Sequence, residues 1–173
     1  MAYENNDIKL LVLDVDGTLT DGMIYYGGND MEIKAFNIKD GAILKPLYRV
    51  GIEVIFLTGR KSDVVEQRAL ELNATAVQGV DDKLKELSKL LGERNLNFNQ
   101  CAYIGDDLND YAAMKRCGFK ACPSDAVEEI KEICEYVSTY KGGHGAVRDI
   151  CINMLHSEAK YGELLSLYNV NKV

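Results

Sequence analysis

At 173 residues the chain is long enough for one domain with a real core and short of the length that suggests two. Hydrophobic residues make up 47% of it, and 27 acidic against 20 basic residues leave a net charge of −7. That balance argues against a nucleic-acid surface or an anionic membrane as the main partner, and an anionic substrate would need a local cation. Cys101, Cys117, Cys122, Cys134 and Cys151 lie in apolar segments with no CxxC pair, so they read as reduced core thiols rather than a zinc site or a disulfide framework. The start, MAYENNDIK, has no basic or apolar leader pattern, and no apolar run approaches membrane-spanning length, so a cytoplasmic protein is expected.

Ile8 to Asp14 reads as the first strand. The apolar run Leu10 to Leu13 leads into Asp14, Asp16 and Gly17, delivering two carboxylates and a tight turn at a strand's carboxyl end, where open α/β sheets put their chemistry. Alternation along an extended backbone points Asp14 and Asp16 the same way, and carboxylates so close repel unless a cation or a proton sits between them. Asp and Gly are also ordinary turn formers, so this stretch alone is compatible with a plain acidic turn. From Met23 to Phe36, two β-prone runs around GGND read as a hairpin. Tyr25, Tyr26, Ile24, Ile33 and Phe36 give it apolar surface on both faces, and an isolated hairpin is marginal in water, so it should pack on another subunit or on its own domain.

Asp40 and Gly41 precede a helix expected over 42–50, closed by Gly51, with Pro46 kinking it or shortening its start. Ile52 to Gly59 reads as the second strand. Ser62 caps a helix carrying Val64, Val65, Ala69 and Leu72, and Thr75 to Gln78 is a short third strand. Asp81 and Asp82 open a helix with Leu84, Leu87, Leu90 and Leu91 on one stripe. Gln100 to Gly105 is the fourth strand, Leu108 to Cys117 a helix, Phe119 to Cys122 the fifth strand, Ala126 to Cys134 a helix, and Glu135 to Thr139 a further short strand. After the glycine-rich KGGHG, residues 146–168 read as helical with an interruption at Gly162. Strands alternating with helices predict an α/β fold with a parallel sheet covered on both faces.

Four elements recur at strand ends: DVDGT at 14–18, TGR at 58–60, Lys83, and GDDLND at 105–110. Each is modest evidence alone, and Lys83 by itself would read as a solvated lysine at a helix start, like Lys85 and Lys89. Together, in this order, they resemble the haloacid dehalogenase superfamily of phosphatases over nearly the whole chain. Within it, DVDGTLTDG, FNIKDG, TGR, QGVDDKL, YIGDDLND and GGHGAVRD look most like the 3-deoxy-D-manno-octulosonate 8-phosphate phosphatases. The resemblance implies a Rossmann-like sheet with a hairpin flap and one domain over 1–173. A hairpin and one helix between Asp14 and Thr58, and one helix and one strand between Thr58 and Lys83, leave no room for a cap domain.

The resemblance also implies a Mg²⁺-dependent phosphatase acting on a small anionic sugar phosphate through an aspartyl-phosphate. It makes Asp14 the nucleophile, Asp16 the general acid/base, Thr58 a phosphate-binding hydroxyl and Lys83 the basic residue that offsets charge. Asp106 becomes the second metal carboxylate, with Asp107 and Asp110 closing the acidic cluster and the Asp16 carbonyl completing the metal's oxygen ligands. Gly17 and Gly59 fall on the substrate side, Gly17 because a glycine lets the backbone approach phosphoryl oxygens. Arg60 is the candidate for recognising a sugar-acid carboxylate, and favours an eight-carbon substrate over the nine-carbon acids whose phosphatases tend to carry an acidic residue there. Arg68 and Arg148 are weaker substrate candidates, while His144 and His156 read as surface residues. In the family, homotetramers complete each site through hairpins and C-terminal segments, so the hairpin and the segment 142–173 are the places to look. The alternatives are a nine-carbon nonulosonate 9-phosphatase, a phospho-accepting receiver domain, and a catalytically silent scaffold. A receiver places its acidic pair and its acceptor on different strands, unlike DVDGT.

Overall fold

A computed structural model describes residues 7–28 and 31–170. In chain order it has β1 (Leu10–Leu13), the hairpin strands β2 (Tyr25–Tyr26) and β3 (Glu32–Ile33), α1 (Ile38–Leu44), β4 (Glu53–Thr58), α2 (Asp63–Glu71) and β5 (Thr75–Gln78). Then come α3 (Lys83–Glu93), β6 (Cys101–Ile104), α4 (Leu108–Met114), β7 (Phe119–Cys122), α5 (Glu128–Lys131), β8 (Tyr136–Val137), α6 (Ala146–Ser157) and α7 (Tyr161–Ser166).

The six-stranded sheet has the order β5-β4-β1-β6-β7-β8, with every neighbouring pair parallel. Leu13 stands level with Phe56 on one side and Ile104 on the other. The chain winds outward from β1 in one direction and then in the other, which opens a crevice at the carboxyl ends beside β1. The strand alternation splits each apolar run between two cores. Leu11, Leu13, Val54, Phe56 and Ile104 face α1, α2, α6 and α7, while Leu10, Val12, Ile55, Leu57 and Tyr103 face α3, α4 and α5. Each such buried side chain contributes roughly 1.5–3 kcal/mol.

Several boundaries differ from expectation, each for a local reason. The helix expected over 42–50 begins at Ile38, because the Asn37 side chain accepts from Lys39 N at 2.8 Å and caps it. Pro46 ends it, and Leu47–Val50 is a separate 3₁₀ turn closed by Gly51 at φ 78°. Asp40 is therefore inside the helix and buried, where Oδ1 accepts from Arg148 N at 2.8 Å and caps α6, whose own cap position is a glycine. Ser62 stands at the start of α2, but its hydroxyl makes no cap bond. The helix expected over 126–134 shortens to α5. The C-terminal helix breaks at Ala159, with φ 56°, and not at Gly162, which lies inside α7. That break has a use: Glu158 accepts from Ile8 N and Lys160 donates to Ile8 O, both at 2.9 Å, holding the chain as it enters β1. The hairpin forms, with Tyr26 opposite Glu32; positions 29 and 30 of its expected glycine turn lie outside the described residues.

Candidate active site

The amide of Asp14 donates to Ile104 O at 2.9 Å, so the residue that follows β1 is pinned to β6. The residue is 5% exposed. Beyond it the chain turns tightly, with Val15 O accepting from the amides of Thr18, Leu19 and Thr20. Gly17 adopts φ 96°, and a Cβ there would fall 2.1 Å from Asp106 Oδ2, so only glycine lets the loop after β6 close on the loop after β1. Thr18 Oγ1 donates to Asp106 Oδ1 at 3.0 Å across that junction.

Lys83, 3% exposed, opens α3 at the end of the β5 connection. Its ammonium donates to Asp14 Oδ1 at 2.5 Å and to Asp110 Oδ1 at 2.7 Å. Asp110 is held further by Tyr103 Oη at 2.8 Å and the Asp106 amide at 3.3 Å. Gly105 makes this packing feasible, since a Cβ there would lie 2.6 Å from Asp110 Cγ.

Oxygens of Asp14, Asp106 and Asp110 all lie within 4.8 Å of one another, three carboxylates around one ammonium. Burial, reinforced by the charge of Asp110, pushes the Asp14 carboxyl well above its ordinary value despite Lys83. Asp106 is pushed up to about 6 by burial, with Asp110 and Asp107 adding to the rise and the Thr18 hydroxyl opposing it. Burial pulls Lys83 down, but Asp14 and Asp110 together outweigh it, so the amine is held as an ammonium. Carboxylates in excess of cations, all offering hard oxygen donors, fit a divalent cation of the Mg²⁺ kind.

A cavity of about 230 Å³ opens beside this cluster, lined by Asp14, Asp16, Thr58, Gly59, Arg60, Asp107 and Asn109. Six residues singled out from the sequence thus share one space. Thr58 is buried and its Oγ1 accepts from Arg60 N at 3.4 Å. Asp107 sits at the rim, capping α4 through a 2.7 Å bond from Leu108 N, outside the three-carboxylate cluster. Asp16 also faces the cavity, but its carboxylate is ion-paired with Lys34 of the hairpin and lies 3.9 Å from Arg60 Nε. Gly17 N donates weakly, at 3.4 Å, to Thr20 Oγ1.

Arg68 and Arg148 are not brought to this cavity. Arg68 pairs with Glu71 at 3.0 Å and lies over the Phe36 ring, while Arg148 lines a separate cavity of about 700 Å³ with Lys39, Tyr140 and His144. Lys34, Thr18, Tyr103, Gly142 and Gly143 also belong to the site, without being singled out by the sequence. A Cβ on Gly142 would fall 1.8 Å from Gly17 O, and Gly143 N donates to Thr18 O at 3.2 Å, so that segment presses directly on the loop after Asp14. The period-two spacing of Glu32 and Lys34 was the available signal for the hairpin's inner face.

Comparison with known proteins gives a consistent result. Residues 75–150 match the haloacid dehalogenase-like hydrolase family. The chain is 41% identical over 164 residues, 94% of its length and 87% of the relative's, to 3-deoxy-D-manno-octulosonate 8-phosphate phosphatase KdsC of Escherichia coli (strain B / BL21-DE3). KdsC of Salmonella typhi is 40% identical over 158 residues, 91% of this chain and 84% of that one. Among solved structures it resembles the Moraxella catarrhalis phosphatase in complex with magnesium ion, phosphate ion and KDO, at TM-score 0.91 and 38% identity, covering 96% of this chain and 97% of that chain. The cobalt-bound phosphatase of Haemophilus influenzae superimposes at TM-score 0.85 with 33% identity, covering 91% and 92%.

Proposed function

We infer that this chain, which belongs to the 3-deoxy-D-manno-octulosonate 8-phosphate phosphatase family, hydrolyses that phosphate ester to the free sugar acid and inorganic phosphate. The observation that carries the reading is the cluster of Asp14, Asp106 and Asp110 beside Lys83, with Asp14 and Asp110 buried and Asp106 half-buried, opening on a cavity shared with Asp16, Thr58 and Arg60.

In this reading an Asp14 oxygen attacks phosphorus, the bond to the sugar oxygen breaks, and Asp16 gives that oxygen its proton. Asp16, now ionised, takes a proton from water, whose oxygen attacks phosphorus and frees Asp14. Lys83 orients Asp14 and offsets negative charge on the transferring group. Thr58 and the backbone around Gly17 and Gly59 hold the phosphoryl oxygens. Mg²⁺, held by Asp14, Asp106 and the Asp16 carbonyl, would supply positive charge that screens the phosphoryl oxygens from the attacking carboxylate. Asp110 acts through Lys83, since its oxygens are already taken up by Lys83, Tyr103 and the Asp106 amide. Asp107 closes the rim.

Arg60, with a side chain 45% exposed, is the group we assign to the substrate carboxylate. Arg68 and Arg148 line other cavities and do not border the one lined by Arg60. Met23, Tyr25, Met31 and Ile33 leave the outer face of the hairpin apolar and exposed, which supports a homotetramer assembled through it. The continuous sheet supports one capless domain over 1–173. Among the described residues no helix is long and apolar enough to cross a membrane, and the five free cysteines suit a reducing cytoplasm. The test is phosphate release from the 8-phosphate with Mg²⁺. It should disappear with EDTA and in Asp14→Asn, and turnover that survives both would remove the reading.

A further inference from the structure

Lys34 lies on the inner face of the hairpin with its side chain 0% exposed. Its ammonium is ion-paired with Asp16 Oδ1 and lies 3.3 Å from Glu32 Oε1. Arg60 closes the arrangement, with Nε 3.9 Å from Asp16 Oδ2 and Nη2 3.7 Å from Glu32 Oε1 and 2.9 Å from Tyr26 Oη. Tyr26 and Glu32 are directly opposite in the hairpin register, so one rung of the ribbon meets Arg60 while the next inward residue, Lys34, meets Asp16. Two cations and two carboxylates alternate, and each Asp16 oxygen faces a different cation.

The two cations differ in what they are free to do. Arg60 is nearly half exposed and can turn toward a ligand in the cavity. Lys34 has no such freedom: it is sealed from solvent, and a buried ammonium is tolerated only against its counter-charges. We infer that Lys34 is a positioning residue for Asp16, fixing the direction in which that carboxyl group meets the leaving oxygen, so that the hairpin helps to build the chemistry of its own chain. This rests on the reading of Asp16 as the proton donor. Proton transfer needs the donor within hydrogen-bond reach of the oxygen, and an Asp16 released from Lys34 would swing about its χ1 bond.

The test compares Lys34→Met with the unaltered chain on two phosphates. One is 3-deoxy-D-manno-octulosonate 8-phosphate, whose alkoxide must be protonated; the other is p-nitrophenyl phosphate, whose phenolate leaves unaided. For the sugar phosphate kcat should fall about a hundredfold with KM changed less than about threefold. The first-turnover release of p-nitrophenolate should stay within about threefold of the unaltered chain. Lys34→Met combined with Asp16→Asn should be no slower than Asp16→Asn alone, because Lys34 acts only through Asp16. Equal losses on both phosphates, a raised KM with kcat intact, or full additivity in the double variant would each overturn the inference. If Lys34→Met does not fold, Lys34→Gln carries the same comparison. Undiminished turnover of the sugar phosphate in Asp16→Asn would remove the reading of Asp16 itself, whereas loss there with none in Lys34→Met would overturn the role of Lys34 alone.

Discussion

Replacing Asp106 by Asn should make the metal-free protein more stable at neutral pH while abolishing its use for Mg²⁺. Burial and the neighbouring charges of Asp110 and Asp107 raise the Asp106 carboxyl from 3.8 to about 6. A group whose folded-state pKa is raised binds more protons in the native than in the unfolded state. Its contribution is therefore present below about pH 4 and is lost as pH rises through about 6. About two units correspond to about 3 kcal/mol, reduced to about 1–3 kcal/mol because Asp106 keeps some contact with water. Asn keeps the acceptor that meets the Thr18 hydroxyl at 3.0 Å and removes the charge. Urea unfolding in EDTA from about pH 4 to 8 should show the two proteins converging at the acid end, with the Asp106→Asn variant the more stable by that amount at neutral pH. Saturating Mg²⁺ should then reverse the order, since only the unaltered chain gains the full free energy of binding. A difference independent of pH, or an Asp106→Asn variant less stable than the unaltered chain in EDTA at neutral pH, would refute the argument.

Lys83→Met removes the ammonium shared by Asp14 and Asp110, and should cost about 10²–10³ in kcat for phosphate release; activity within about tenfold of the unaltered chain would contradict its role. Gly142→Ala places a methyl 1.8 Å from Gly17 O and forces the two loops apart. It should lower kcat and cost about 1–3 kcal/mol in urea unfolding, whereas a neutral effect would show that the contact has slack. Arg60→Glu should shift preference from eight-carbon toward nine-carbon keto-acid phosphates in a substrate panel, and an unchanged ratio of kcat/KM values would remove Arg60 from specificity.

How much of this was legible follows from what each residue depends on. Asp14, Thr58 and Asp106 each close or follow an apolar run, which with the turn residues after it reads as a buried parallel strand, whereas Lys83 follows a half-buried strand and a polar turn and is legible only beside the other motifs. Their meeting at one crevice is a consequence of sheet order. Lys34 was illegible in its role because alternation in MEIKAF gives the side it faces and says nothing about what stands there. The same holds for Asp40, which looks like a turn residue until α6 is packed beside it with a glycine in its cap position. Asn37 does not stand out as a cap in the sequence, because Asp40-Gly41 suggests a later start, whereas the helix fits between Asn37 and Pro46. The break at Ala159 depends on long-range bonds to Ile8, beyond the reach of any local pattern.

The central claim is that Asp14 carries the phosphoryl group between sugar and water. Rapid acid quench during turnover of the 8-phosphate, followed by borohydride reduction and peptide mass spectrometry, reads it directly. The account predicts homoserine at position 14 in the unaltered chain and none in Asp14→Asn. Steady turnover with Asp14 unmodified, or a phosphoryl group trapped on another residue, would contradict it.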